Sequence, residues 1–93
     1  MEIIKLDDVL TLKETKEYVC SNFDGTVNEK VVEELKSGDC YSGYPAWDWF
    51  AYISYQDGNF IAHVMKRHIL VDVVFASDFC ELKDILCKEH GHD

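Results

Sequence analysis

The sequence is poor in positive charge and in long apolar runs. Nine Lys and Arg residues stand against eighteen Asp and Glu residues, which gives a formal net charge of −9 over 93 residues. An acidic surface repels nucleic acid and anionic membranes, so we expect no direct binding to either. The longest apolar run, residues 69–76, is interrupted by Asp72 and is far too short to span a bilayer.

Signals for export and for a disulfide framework are also missing. The opening residues, MEIIKLDD, contain neither the basic segment nor the apolar segment of a signal peptide. Four cysteines, at positions 20, 40, 80 and 87, include no Cys-x-x-Cys pair. We therefore expect a cytoplasmic protein with reduced thiols.

The motifs of common catalytic and cofactor sites are missing as well. The sequence contains no Gly-rich phosphate loop, no G-x-S-x-G and no H-E-x-x-H. The C-terminal residues Cys87, His90, His92 and Asp93 are of metal-binding types, but a structural zinc site requires a second ligand pair elsewhere. We interpret this cluster as a solvated tail. We expect no enzymatic activity, no bound metal and no cofactor.

Capping signals predict three helices. Each begins with Thr or Asp followed three residues later by Glu, and each continues with apolar residues at helical spacing. The loop predicted at 39–46 contains two of the turn-forming residue types, Gly43 and the only proline. The predicted helices start at Thr11, Thr26 and Asp78, and they end near Phe23, Gly38 and Gly91.

From Trp47 onward the apolar period changes from helical to two, which predicts three strands. Asp57-Gly58 is typical of a two-residue type I′ hairpin, which would pair Tyr55 with Phe60 and Trp49 with Lys66. A second turn is predicted at Lys66-Arg67, before a strand over 68–76 whose Ile69, Val71, Val73 and Phe75 would face the helices. Together with the helices, this order predicts one α+β domain over residues 1–93: two N-terminal helices, a three-stranded antiparallel β-meander and a C-terminal helix.

The predicted meander has two apolar faces, and helices need cover only one of them. Seven aromatic residues lie between positions 44 and 60. The face left over carries aromatic and aliphatic side chains together with histidines and acids, a composition typical of a binding surface. Two alternatives are that another part of the chain covers this face, or that two copies associate through it. A histidine beside a carboxylate can act as an acid–base pair, but the predicted pairing places Leu70 rather than Asp72 opposite His63. We therefore interpret His63 and His68 as surface or interface residues.

The predicted partner-binding site combines this face with nearby acids. Carboxylates spaced like phosphates would occupy a Lys/Arg groove that normally receives nucleic acid. The predicted site residues are Phe50, Tyr52, His63, Met65, Glu29, Glu33, Glu34 and Asp48.

In size, acidity and α+β composition, the whole chain resembles phage anti-CRISPR proteins and the immunity proteins of nuclease toxins. The resemblance implies a non-enzymatic inhibitor whose partner is a basic protein such as a nuclease or a CRISPR effector, which it would bind by nucleic-acid mimicry. Two other hypotheses are a small-ligand-binding or regulatory domain, in which the aromatic face and the 39–46 loop line a pocket, and a homodimeric structural module.

Overall fold

The computed structural model describes residues 3–12, 15–18, 25–46 and 49–90. The described part of the chain has an α+β fold, as the sequence predicts. Its elements are α1 (Leu6–Val9), β1 (Thr15–Tyr18), α2 (Gly25–Lys36), β2 (Cys40–Ala46), β3 (Trp49–Gln56), β4 (Asn59–Lys66), β5 (Ile69–Ala76) and α3 (Phe79–His90).

The strands form one sheet in the order β1-β2-β3-β4-β5. β1 runs parallel to β2, and the other neighbours are antiparallel. The predicted meander corresponds to β3, β4 and β5, but a three-stranded sheet is wrong because two more strands extend it. β2 occupies the predicted loop at 39–46, where Tyr41 pairs with Ile53 and Gly43 with Ala51. Its glycine and proline suggested a loop, whereas the exposed edge of β3 offers this segment backbone hydrogen bonds.

The helix predicted from Thr11 to Phe23 is also wrong in its described part. Residues 15–18 form β1, and the hydroxyl of Thr11 donates a 2.8 Å hydrogen bond to the carbonyl oxygen of Asp8. Thr11 therefore closes the turn after α1 instead of capping a new helix. Residues 13–14 and 19–24 lie outside the described part of the chain.

The second and third predicted helices are confirmed as α2 and α3. After α2, Gly38 has a φ of 109°, and the N–H of Asp39 donates to the carbonyl of Glu34 at 3.1 Å. This left-handed glycine ends the helix, as the sequence predicts. At the start of α3, the carbonyl of Asp78 accepts the N–H of Leu82 at 3.0 Å.

Helices α2 and α3 both pack on the same side of the sheet, which we call the helix face. Phe79 of α3 meets Phe60 of β4 edge to face, with 5.7 Å between ring centroids. Burying this face against the two helices provides most of the core of the described chain. The buried core residues are Val31, Leu35, Tyr41, Trp49, Ala51, Ile53, Phe60, Ala62, Val64, Val74, Ala76, Phe79, Leu82 and Leu86.

The predicted register of β3 against β4 is confirmed. Asp57 and Gly58 are the two loop residues, with φ values of 49° and 84°, and Tyr55 pairs with Phe60 as predicted. The whole ladder from Trp49 to Gln56 follows from this turn, because hairpin loop length fixes which residues face each other.

The predicted register of β4 against β5 is wrong. The loop residues are Arg67 and His68 rather than Lys66 and Arg67, and the pairing shifts again between Val64 and Met65. As a result Asp72, Val74 and Ala76 lie on the helix face in place of the predicted Val71, Val73 and Phe75, while Ile69, paired with Lys66, stays on the predicted face. The run ILVDVVF has almost no polar alternation, so nothing local fixes which side of the strand faces the core.

Candidate functional site

The second side of the sheet, which we call the arm face, is covered at its centre by residues 3–12. We call this segment the N-terminal arm. The N–H of Ile4 donates to Oε1 of Gln56 at 2.9 Å, and the carbonyl of Ile4 lies 2.8 Å from Nε2 of His63. Ile61 and His63, on the arm face of β4, are 0% and 1% exposed. The sequence left open whether a partner, a second copy or another part of the chain covers this face. At its centre, the face is covered by another part of the chain.

His63 is a buried member of this layer. Burial lowers the pKa of its imidazole, and the hydrogen bond to the Ile4 carbonyl opposes part of that shift. In the neutral ring, Nε2 donates its hydrogen to the Ile4 carbonyl and Nδ1 carries no hydrogen. This Nδ1 is buried and has no hydrogen-bond partner in the described residues. Met65 is buried too. Neither side chain presents a surface to a partner in this structure, which corrects their expected exposure.

Phe50 and Tyr52 are the predicted contact residues that keep some exposure. Both are half-buried on β3, and their rings meet edge to face with 5.4 Å between centroids. Cross-strand pairing places Phe50 beside Met65 and Tyr52 beside His63. The predicted aromatic patch is thus reduced to a pair at the margin of the arm-covered region.

The predicted acids divide into exposed and structural groups. Glu29 and Glu33 are exposed, one turn apart on α2. Glu34 is half-buried and its carboxylate accepts the hydroxyl of Tyr41, so it links α2 to β2. Asp48 lies outside the described residues.

The sheet separates the two halves of the predicted site. α2 packs on the helix face, since Val31 and Leu35 join the core there, whereas Phe50 and Tyr52 lie on the arm face. One flat partner surface cannot contact both sets. The exposed acids of α2 instead share their side of the sheet with Glu81 and Asp84 on α3, which are exposed as well. The sequence contains these acids, but only the packing of both helices on one face places them on the same side of the sheet.

A histidine–carboxylate pair joins α3 to β5. Nε2 of His90 lies 2.9 Å from Oδ2 of Asp72, and Oδ1 of Asp72 accepts the N–H of Val73 at 2.9 Å. The His90 ring also lies 5.8 Å from the ring of Trp49. Asp72 is therefore near a histidine, but not near His63, which points to the arm face. This pair anchors the last turn of α3 on the sheet.

The described residues contain no cluster of three or more His, Cys, Asp or Glu side chains placed to hold a metal ion. Of the C-terminal residues of metal-binding types, His90 is engaged with Asp72, while His92 and Asp93 lie beyond the described part. Cys40 and Cys80 are free thiols, buried and exposed respectively. Burial raises the pKa of Cys40 to about 11, which leaves it protonated and unreactive at neutral pH.

A shallow depression in the described surface lies where the N-terminal arm meets the β3–β4 hairpin. It is lined by Ile3, Ile4, Lys5, Asp8 and Gln56. None of these side chains is aromatic, so this depression is not the aromatic pocket of the ligand-binding hypothesis. None of the helices in the described residues is long and apolar enough to cross a membrane.

No family model matches the sequence, and no curated protein or solved structure matches the chain. The geometry and the charge of the chain are therefore the basis for inferring its function.

Proposed function

We propose that the protein is a non-enzymatic inhibitor that binds a basic, nucleic-acid-handling protein through the outer surface of α2 and α3. One observation carries the proposal: Glu29, Glu33, Glu81 and Asp84 are all exposed on two helices that pack on the same face of the sheet. Lys30, Lys36 and Lys88 are exposed on the same helices, and Glu89 is exposed on α3 as well, so five exposed acids stand against three exposed lysines.

The spacing of these acids favours a basic partner. Glu29 and Glu33 are four residues apart, and like charges at this spacing destabilise a helix by about 0.2–0.5 kcal/mol. A lysine- or arginine-rich groove would relieve this repulsion and gain charge-assisted hydrogen bonds. The net charge of −9 would also accelerate the encounter with such a groove. The partner class is a nuclease or a CRISPR effector, whose nucleic-acid channel is basic.

The aromatic pair takes no part in this proposed interface. Phe50 and Tyr52 lie on the opposite face of the sheet from α2. This division gives the proposal a matched control, because acids on the arm side can be neutralised without changing α2 or α3. Asp7 and Asp8 are exposed in α1 and suit this purpose.

The test is inhibition of DNA cleavage by two probes, a guide-loaded CRISPR effector nuclease and a toxin nuclease domain. We expect the full chain to inhibit at least one of them. Raising the salt from about 50 mM to about 200 mM should weaken the inhibition. Glu29→Gln/Glu33→Gln should slow association several-fold, since exposed charges act mainly on the on-rate. Asp7→Asn/Asp8→Asn changes the net charge equally and should have a much smaller effect.

Equal losses from the two double variants would show that net charge acts without a defined helical interface. Failure to inhibit either nuclease, or inhibition that does not depend on salt, would contradict the proposal. Circular dichroism and thermal unfolding of each variant would establish that the fold is retained.

A further inference from the structure

β5 is an edge strand with an apolar surface. It ends the strand order, so in the described chain only β4 pairs with it. Ile69, Leu70, Val71 and Phe75 are 65%, 42%, 48% and 50% exposed. Proteins usually protect an edge strand with charged residues, because its unpaired backbone groups can pair with another strand. The only charged residue of β5, Asp72, is engaged by His90.

The two ends of β5 carry opposite charge. The turn before it contains Lys66, Arg67 and His68, and Arg67 is the only arginine of the chain. Beyond its other end, Asp78 and Glu81 are exposed. An antiparallel strand of the same sequence would place the basic end of each copy beside the acidic end of the other.

We propose that two copies of the chain pair antiparallel through β5, which would join their sheets into one continuous sheet across a two-fold axis. Such an interface is self-complementary, because every contact between different residues occurs twice. Antiparallel pairing of edge strands also supplies backbone hydrogen bonds along the interface. The proposal does not depend on the inhibitor function, because it rests on β5, Arg67 and Asp78, and of the inhibitor acids only Glu81 lies near the Asp78 end of the strand.

The apolar side chains of β5 fit this arrangement. Leu70 pairs with Met65 and Phe75 with Ile61, so both exposed side chains lie on the arm face. They are near opposite ends of the strand. In the antiparallel pair, Leu70 of one copy approaches Phe75 of the other, and each would lose its contact with water.

The strained turn beside β5 supports a role for its basic residues. Arg67 and His68 have φ values of 50° and 67°, a left-handed conformation that favours Gly or Asn. Such residues persist where the surrounding structure holds them in place, and they cluster at binding and switch sites. An arginine here, in a chain with twice as many acids as bases, is suited to meet the Asp78 carboxylate of a second copy.

The first test is sedimentation velocity of the full chain from about 10 μM to about 1 mM at about 150 mM salt, where charge repulsion between copies is screened. We expect a reversible monomer–dimer equilibrium, and amide hydrogen exchange in β5 should slow as dimer forms. Leu70→Lys should weaken the dimer at least about tenfold. Leu10→Lys is the matched control, because Leu10 is 46% exposed but lies in the N-terminal arm, and it should leave the equilibrium unchanged.

The second test is a charge swap between the ends of the strand. Arg67→Glu alone and Asp78→Lys alone each place like charges together twice in an antiparallel pair, so each should weaken self-association at least about tenfold. An equimolar mixture should form the heterodimer, because both contacts then join opposite charges. Any of three results would overturn the proposal: a monomer at every concentration, hydrogen exchange in β5 that is independent of concentration, or a mixture of the two variants that does not associate. The free edge of β5 would then be available to pair with a strand of another protein. Asp78→Asn, which keeps a capping side chain, controls for the effect of Asp78 on α3.

Discussion

Nε2 of His63 lies 2.8 Å from the carbonyl oxygen of Ile4, so a histidine in the middle of the sheet holds a segment 59 positions earlier in the chain. This hydrogen bond attaches the N-terminal arm to the arm face. It also explains how a sheet with two apolar faces buries the centre of the second one without another long helix.

The stability of the protein should fall as the pH decreases below about 6.5, the ordinary pKa of histidine in an unfolded chain. Burial lowers the pKa of His63 in the folded state, so in this range the unfolded state binds a proton that the folded state does not. Above the unfolded pKa both states are neutral and His63 adds no pH dependence. Urea unfolding at about pH 7.5 and about pH 5.5 would measure the change.

His63→Gln should reduce this pH dependence, and His68→Gln, at an exposed position, is the matched control. Acidic groups also make the stability depend on pH, but they contribute equally in the parent chain and in the two variants. An identical pH dependence in the His63 variant and the parent chain would show that the imidazole is protonated equally in both states.

The Asp72–His90 pair should stabilise the attachment of α3 to β5. We expect His90→Ala to lower the free energy of unfolding by about 1–2 kcal/mol, since it removes a hydrogen bond to a carboxylate and a ring contact with Trp49. Lys88→Ala, in the same helical turn, is the control. A double-mutant cycle with Asp72→Ala should give a coupling energy of about 1 kcal/mol. Purely additive effects would indicate that the two side chains do not interact.

The Arg67-His68 turn should be improved by residues that accept positive φ. Arg67→Asn/His68→Gly should raise the free energy of unfolding by about 1–2 kcal/mol, measured at low protein concentration. Gly58→Ala in the other hairpin should do the opposite and cost about 1 kcal/mol. A Cβ at Gly58 would meet no atom within 4 Å, so this cost would come from its φ of 84° alone. No gain from the Asn-Gly variant would mean that the Arg67-His68 turn is unstrained.

Ser54 should be a site where removal of a polar group stabilises the fold. Its hydroxyl is fully buried on β3, and Oγ has no hydrogen-bond partner among the described residues. Ser54→Ala removes the cost of burying this group, and we expect a gain of about 1 kcal/mol in the free energy of unfolding. Thermal and urea unfolding would measure it. A loss of stability would show that the hydroxyl has a partner in solution, such as a buried water.

Cys40 should resist alkylation in the folded protein. Its pKa of about 11 leaves roughly a thousandth of the thiol ionised at pH 8, and its side chain is fully buried. We expect iodoacetamide to modify the exposed Cys80 first and Cys40 only on opening of the fold. Peptide mass spectrometry over time would distinguish them, and both should react rapidly in urea. Equal rates in the folded protein would contradict the buried position of Cys40.

Local sequence determined the elements whose signals are specific and short in range. Asp57-Gly58 fixed one hairpin and hence the whole β3–β4 register, because positive φ at two adjacent positions permits few other conformations. Gly38 fixed the end of α2 in the same way. The net charge of −9 is likewise a property of composition alone.

Tertiary structure decided the rest, since several segments carried signals that agree with more than one conformation. Thr11 closes a turn rather than capping a helix, and Tyr41 pairs in a strand because β3 offers it a partner. The uniform run in β5 has no preferred side until Asp72 meets His90 and Val74 enters the core. The positions of the exposed acids and of the apolar edge strand follow from these long-range contacts, whose free energy exists only after the elements have packed together.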